Sequence, residues 1–111
     1  MTNILKHDVV IVKFPFASSL KYKARPAVVV SSEKYNKNKR NTLLIMAISS
    51  SQENKLDFEV NIENWKDSGL LKPSILKSAI ATIEKESVLE NIGKLTGSDI
   101  KKLEVLLEII C

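Results

Sequence analysis

The chain of 111 residues has a formal net charge of +4, with 44% hydrophobic and 27% charged residues, which is typical of one globular domain. Its longest apolar runs are far too short to span a bilayer, and its first residues lack the apolar core of a signal peptide. We therefore expect a single-domain cytoplasmic protein without a membrane partner. The only cysteine is Cys111 and the only histidine is His7, which excludes an internal disulfide and a cysteine–histidine zinc site.

Five short apolar segments indicate β-strands, because they are rich in β-branched residues and are separated by polar stretches. In chain order they are residues 9–14, 26–32, 42–49, 58–62 and 75–83. The fourth alternates apolar with polar residues, so we expect Glu59 and Asn61 on its solvent face. The polar connections 17–24, 33–41 and 50–56 are predicted to be loops.

The C-terminal part changes to a helical pattern. Apolar residues recur on one face of a helix at positions 100, 103, 106, 107 and 110. Thr96 is the predicted N-cap, with Asp99 completing a capping box. Residues 88–95 fit a short strand or a short helix equally. A series of short strands followed by one helix predicts a mainly-β fold, in which a small antiparallel barrel or curved sheet is covered by the C-terminal helix.

Positive charge is concentrated in the first half of the chain. Residues 1–55 contain ten Lys/Arg and three Asp/Glu, whereas residues 56–111 contain seven and ten. The basic half is therefore a candidate surface for a polyanion, although an ordinary solvated face has the same composition.

The second and third predicted strands bring candidate functional groups together. If these neighbouring strands pair antiparallel, the start of one lies beside the end of the other. Arg25 then shares one rim of the sheet with the hydroxyls of Ser49, Ser50 and Ser51. The loop before Arg25 adds four further polar side chains to this rim: Ser18, Ser19, Lys21 and Lys23. His7 falls at the opposite end, so we expect it to be structural.

This rim suits a phosphodiester. An arginine guanidinium presents a planar fork of donors that matches two phosphate oxygens, and a serine hydroxyl adds a neutral donor. Such groups stabilise the charge that develops on phosphorus, and RNA carries its own nucleophile in the 2′-hydroxyl. The pattern alone also fits an exposed strand residue beside an ordinary polar loop.

Four segments of the chain, in order, resemble the MazF/PemK-type toxins. The opening of these toxins, an Asp-led strand with a Phe-Pro-Phe-like end and then Arg-Pro before a Val-rich strand, is similar to HDVVIVKFPFASSLKYKARPAVVVSS. Their third strand, which ends in Thr or Ser, resembles LLIMAISS. Their later Gly-Leu-x-Lys-Pro-Ser segment and closing helix resemble GLLKPSILKSAIATIEKESV and NIGKLTGSDIKKLEVLLEII.

The resemblance implies an SH3-like barrel that works as a homodimer. It implies an endoribonuclease without metal or other cofactor, which cuts single-stranded RNA, mRNA in particular, through the 2′-hydroxyl. It also implies a cognate antitoxin whose extended tail masks the RNA site. Arg25 matches the family's chief catalytic residue, and Ser49 matches the Thr or Ser that helps it hold the phosphate. Lys77 stands in the fifth strand, where some members have a catalytic arginine.

The chain departs from the family pattern at several positions. His7 replaces a usual Gly, and Ser49 replaces the commoner Thr. Lys77 keeps the charge of arginine but loses its fork, and Ala79 stands where some members have an Asp, which leaves the general base unassigned. Two other functions stay open: a non-catalytic toxin of the same barrel fold that inhibits a protein target such as DNA gyrase, and a nucleic-acid-binding barrel without activity. The ending LEIIC lacks the exposed aromatic residue expected of a gyrase inhibitor.

Overall fold

The protein forms a six-stranded antiparallel sheet followed by a long helix in the computed structural model, which describes residues 4–15 and 22–111. The sheet has the order β4-β5-β3-β2-β1-β6. Its strands are β1 (Asp8–Pro15), β2 (Tyr22–Val29), β3 (Thr42–Ser49), β4 (Val60–Asn61), β5 (Ile75–Glu84) and β6 (Val88–Lys94). Two α-helices, α1 (Glu33–Asn36) and α2 (Gly97–Ile110), and a 3-10 turn (Lys85–Ser87) complete the described elements. In this part of the chain, no helix has the length and hydropathy needed to cross a membrane.

The sheet buries apolar side chains on both faces. We call the face that packs on α2 the helix face; Val28, Met46 and Leu76 lie on it. Leu103 and Leu106 of α2 pack there and are fully buried, as the helical spacing predicted. The other side, which we call the opposite face, holds a second cluster of fully buried residues: Val10, Val12, Ala27, Val29 and Ile45.

The predicted class, a mainly-β fold with a C-terminal helix, is confirmed, and β3 has the bounds that its apolar run predicted. Residues 88–95, for which the sequence fitted a short strand and a short helix equally, contain the strand β6. The second strand starts earlier than predicted, so Lys23 lies in β2 and not in a loop. The reason is the long pairing with β1, which runs from Pro15–Tyr22 to Val9–Val28 and extends the hairpin.

The predicted loop 33–41 contains the short helix α1. Ser32 is its N-cap, and the Ser32 hydroxyl accepts a hydrogen bond from the Tyr35 N–H (3.2 Å). Asn36, the last residue of α1, is buried and hydrogen bonds to the hydroxyl and the carbonyl of Ser31. A polar segment therefore forms a helix here because side chains satisfy its backbone ends.

The prediction for the fourth strand is confirmed only at its C-terminal end, where Asn61 is exposed and Ile62 is buried. Only Val60 and Asn61 pair in the sheet, and Glu59 is 4% exposed whereas Phe58 is 38% exposed. Residues before Val60 form a turn in which the Glu59 N–H donates to the Leu56 carbonyl (3.0 Å). The alternation of strand residues thus does not extend to Glu59.

Helix α2 begins at the predicted N-cap, Thr96, but without the predicted capping box. The Asp99 carboxylate is fully buried and accepts hydrogen bonds from the Glu63 N–H (2.8 Å) and the Asn64 N–H (2.9 Å). The Asn64 amide in turn donates to the Thr96 hydroxyl (2.8 Å). Side chains at the start of α2 therefore hold the loop after β4, and their partners are distant in sequence.

Candidate functional site

The strands β2 and β3 pair antiparallel, as the hairpin argument predicted, and they separate close to Arg25. Their pairing runs from Val29–Ile45 to Ala27–Ala47 and ends there. The next residue of β2 is Pro26, which has no N–H to donate to a ladder. Continuing the same register by two residues would set Arg25 opposite Ser49. The two strands thus open a notch at the rim of the sheet, with Arg25 on one side and Ser49 on the other.

Arg25 lies at the solvent-exposed edge of the opposite face, just beyond the buried core residues of β2. Side chains two residues apart on a strand share a face, so Arg25 follows Val29 and Ala27 on this face. Val29 and Ala27 are fully buried, whereas Arg25 is exposed. Its cross-strand neighbour on β1 is the buried Val12. The arginine is therefore anchored by a rigid strand and presents its guanidinium to solvent.

The serine cluster predicted beside Arg25 forms a tight turn at the end of β3. The Ser51 N–H donates to the Ser49 hydroxyl oxygen (3.1 Å), and the Glu53 N–H donates to the Ser51 hydroxyl oxygen (3.2 Å). Ser49 is half-buried, and Ser50 and Ser51 are exposed. Since the Ser49 oxygen acts as an acceptor in this turn, its own hydroxyl hydrogen can be donated to a phosphate oxygen.

Strand β5 forms a further wall of the rim, on the side of β3 away from β2. Ile75 pairs with Ser49, and Leu76, on the helix face, pairs with Ile48. Lys77 follows Leu76 and so lies on the same face of the sheet as Ser49 and Arg25. The lysine is half-buried, and Ala79, which has no ionisable group, is exposed. Lys77 thus adds positive charge to the face that carries Arg25 and Ser49, and its predicted role in RNA binding stays a prediction.

A buried carboxylate on this wall was not predicted. The Glu59 carboxylate accepts hydrogen bonds from the Leu56 N–H (2.9 Å), the Ser78 N–H (2.7 Å) and the Ser78 hydroxyl (2.8 Å). Burial by itself would raise the pKa of Glu59, but these donors and the charge of Lys77 lower it below its ordinary value. A carboxylate of lowered pKa is a weak general base at neutral pH, so Glu59 is suited to holding neighbouring groups and not to proton transfer.

The remaining predicted site residues fall into two groups. Lys23 is exposed on β2, two residues before Arg25, and so shares its face. Ser18, Ser19 and Lys21 lie outside the described residues. His7 lies at the other end of β2, where its N–H donates to the Val29 carbonyl (2.7 Å).

Among the described residues at the rim, Lys23, Arg25, Ser50 and Ser51 are exposed. A cavity of about 460 Å³ lies elsewhere, lined in part by Leu5, Asn36, Val88 and Leu89. None of the predicted site residues that the structure describes lines this cavity. Within residues 4–15 and 22–111, no three His, Cys, Asp or Glu side chains converge as possible metal ligands. The described candidate groups at this rim are therefore cations and hydroxyls that are exposed or half-buried.

Comparison with known proteins identifies the family. Residues 6–111 match the family described as PemK-like, MazF-like toxin of type II toxin–antitoxin system. The chain belongs to this toxin family. A comparison with curated protein sequences gave no significant match.

Solved structures of MazF-type proteins share the fold of this toxin. An endoribonuclease in complex with its cognate antitoxin, from a Mycobacterial species, has a TM-score of 0.74 at 18% identity, covering 99% of this chain and 94% of that one. The MazE-MazF structure from Deinococcus radiodurans has a TM-score of 0.75 at 16% identity, covering 96% of this chain and 94% of that one. The Mycobacterium tuberculosis toxin MazF-mt6 has a TM-score of 0.68 at 22% identity, covering 93% of this chain and 91% of that one. The predicted SH3-like barrel is thereby confirmed as the MazF-like barrel fold.

His7 adopts a backbone conformation that glycine reaches more easily than other residues. His7 has a φ of +77°, in the region that glycine adopts without steric cost. Its backbone links two strands, because the Leu95 N–H donates to the His7 carbonyl (3.1 Å) while the His7 N–H bonds to Val29. The imidazole Nε2 lies 3.6 Å from the Glu104 carboxylate of α2. The geometry therefore gives His7 structural contacts.

Proposed function

We propose that this toxin is a sequence-selective endoribonuclease that cleaves single-stranded RNA, mRNA in particular, without a metal ion. The observation that carries the proposal is the notch at the end of the β2–β3 pairing, which sets Arg25 and Ser49 on facing strands at an exposed rim. Lys23 and Lys77 add positive charge on the same face. A cationic, open surface suits a flexible polyanion better than it suits a small neutral substrate.

In the proposed reaction, the RNA 2′-hydroxyl attacks the adjacent phosphorus and the bond to the 5′-oxygen breaks. The Arg25 guanidinium holds two non-bridging oxygens with its fork of donors, and the Ser49 hydroxyl donates to one of them. Both groups act where negative charge grows in the transition state. Because Ala79 carries no ionisable group, we assign the 2′-hydroxyl proton to water at the rim, and the leaving 5′-oxygen takes a proton from water.

The proposed partners follow from the family and from the exposed surface. Similar structures are complexes with a cognate antitoxin, and we propose the same kind of partner here. Val105 and Ile109 of α2 and Leu71 are exposed apolar side chains that a protein partner could cover. We also propose a homodimer, with the antitoxin tail covering the Arg25 notch. An mRNA substrate places the proposed activity in the cytoplasm.

The proposal is tested by incubating the purified protein with single-stranded RNA in excess chelator. Arg25→Ala is compared with Arg40→Ala, a matched variant because Arg40 is an exposed arginine in the turn before β3. We expect cutting by wild type and Arg40→Ala, and a loss of about 100-fold or more in Arg25→Ala, as when one transition-state donor is removed.

Two results would contradict the proposal. Unchanged cutting by Arg25→Ala would remove this residue from the site. Wild-type protein that binds RNA without cutting it would favour a nucleic-acid-binding barrel, and inhibition of DNA gyrase without any action on RNA would favour the non-catalytic toxin.

A further inference from the structure

The pairing of β3 with β5 is interrupted beside the notch. Met46 pairs with Ile80 and Ile48 pairs with Leu76, so the single residue Ala47 of β3 faces residues 77–79 of β5. Extra residues in a bulge are not paired in the ladder, and their backbone groups need other partners. The bulge carries Lys77, so whatever holds the bulge also sets the position of this lysine.

Glu59 supplies the missing partner. One of its carboxylate oxygens accepts from both the backbone N–H (2.7 Å) and the hydroxyl (2.8 Å) of Ser78, the middle residue of the bulge. The register of β4 with β5, in which Val60 pairs with Leu76, brings Glu59 beside Lys77 when it is continued by one residue. The carboxylate therefore accepts hydrogen bonds from β5 just before β4 begins, where the strand ladder does not reach.

The second oxygen of the same carboxylate holds the loop that follows Ser49. It accepts from the Leu56 N–H (2.9 Å), while the Glu59 N–H donates to the Leu56 carbonyl (3.0 Å). These reciprocal bonds close the C-terminal end of the loop that starts with the serine turn. One buried side chain thus joins the serine loop to the bulge of β5.

We propose that Glu59 is a positioning residue for RNA cleavage, which fixes Lys77 and the loop of Ser49 relative to each other on the β3–β5 side of the notch. This inference rests on the proposed ribonuclease function. Glu59 is 4% exposed, so it does not contact the RNA, and a carboxylate directed at a phosphate would repel it. Its charge instead attracts Lys77 and is compensated by the donors of Leu56 and Ser78.

The decisive experiment is a double-mutant cycle between Glu59→Gln and Lys77→Ala, measured on a short fluorescent RNA. Glutamine keeps the size of the side chain but turns an NH2 group toward one of the donors. We expect kcat to fall about 10- to 100-fold in Glu59→Gln, the effect of a small displacement of catalytic groups, with KM changed much less. Lys77→Ala should lower kcat in the wild-type background and should have little further effect in the Glu59→Gln background.

Two additional variants control for general damage. Glu53→Gln makes the same chemical change at an exposed glutamate of the same loop and should cut like wild type. Ser78→Ala removes one donor but keeps the Ser78 N–H, so it should fold readily and lower kcat in the same direction by a smaller factor. Wild-type activity in both Glu59→Gln and Ser78→Ala, or effects of Glu59→Gln and Lys77→Ala that simply multiply, would overturn the proposal.

Amide hydrogen exchange separates this inference from the proposed function. In Glu59→Gln, the amides of Leu56 and Ser78 should both lose protection, and in Glu53→Gln they should not. If the wild-type protein cuts no RNA, the proposed ribonuclease function is wrong. If the amides of Leu56 and Ser78 still lose protection in Glu59→Gln, Glu59 has only the structural role of linking the two segments. Unchanged protection in Glu59→Gln would refute the link itself, whatever the activity.

Discussion

Replacing Asp99 by alanine should destabilise the protein more than any exposed substitution in α2. The Asp99 carboxylate is fully buried and accepts two backbone hydrogen bonds, from Glu63 (2.8 Å) and Asn64 (2.9 Å). It lies in the first turn of the helix, where the helix dipole also favours a negative charge. Alanine removes this acceptor and leaves two backbone donors without their partner.

The expected loss follows from the number and kind of these bonds. A hydrogen bond to a charged group contributes about 1.5–3 kcal/mol, and an unsatisfied buried donor costs about 1–3 kcal/mol. Both bonds share one side chain, and Glu63 is exposed, so water can replace part of the interaction. We therefore expect the free energy of unfolding to fall by about 2–4 kcal/mol, which corresponds to a decrease in Tm of roughly 8–16 °C for a domain of this size.

Urea unfolding followed by circular dichroism measures the effect. Asp99→Asn should retain part of the stability, because its amide oxygen accepts one bond while its NH2 group faces the other donor. Lys101→Ala, an exposed change in the same helix, should stay within about 0.5 kcal/mol of wild type. A loss below about 1 kcal/mol in Asp99→Ala would refute the claim that this carboxylate anchors the loop.

Two further predictions concern stability. In Gly93→Ala, the added Cβ would clash with the Ser68 carbonyl oxygen, so β6 or the segment of Ser68 must shift. Urea unfolding should then show a loss of about 1–3 kcal/mol. The Cβ added in Gly97→Ala meets no atom within 4 Å, so this variant should show no loss. Because the pKa of Glu59 is lowered in the native state, the native state binds fewer protons than the unfolded state. The stabilisation that Glu59 contributes is therefore complete at pH values above the range where a free glutamate titrates. It is lost as the pH falls through the native pKa of Glu59. The stability difference between wild type and Glu59→Gln should therefore shrink on acidification, and a constant difference would contradict this account.

The parts of the fold that could be predicted from the sequence depend on local patterns. The apolar run of β3 and the helical spacing of α2 both place their own residues in the core, so their bounds or buried faces were predicted well. The fourth strand was predicted only in part, because the position of Glu59 is decided by Ser78, nineteen residues away. The capping box failed for the same reason, since Asp99 bonds to backbone groups 35 and 36 residues away.

In the candidate site, too, the features that depend on local sequence patterns could be predicted, and those that depend on distant contacts could not. The antiparallel pairing of β2 with β3 could be predicted because neighbouring strands joined by a short connection usually pair. Glu59 could not, because a charged residue in an alternating segment normally faces solvent. Its role depends on a bulge in β5, and the sequence of residues 77–79 contains no glycine or proline that would indicate an irregular strand.

The chemistry of the product ends tests the central claim most directly. RNA fragments produced by the wild-type protein in chelator should be analysed by mass spectrometry, with the Arg25→Ala digest as the blank. Attack by the 2′-hydroxyl at the Arg25 notch predicts a 2′,3′-cyclic phosphate on one fragment and a 5′-hydroxyl on the other. Fragments with a 3′-hydroxyl and a 5′-phosphate would show that water is the nucleophile and would contradict the mechanism.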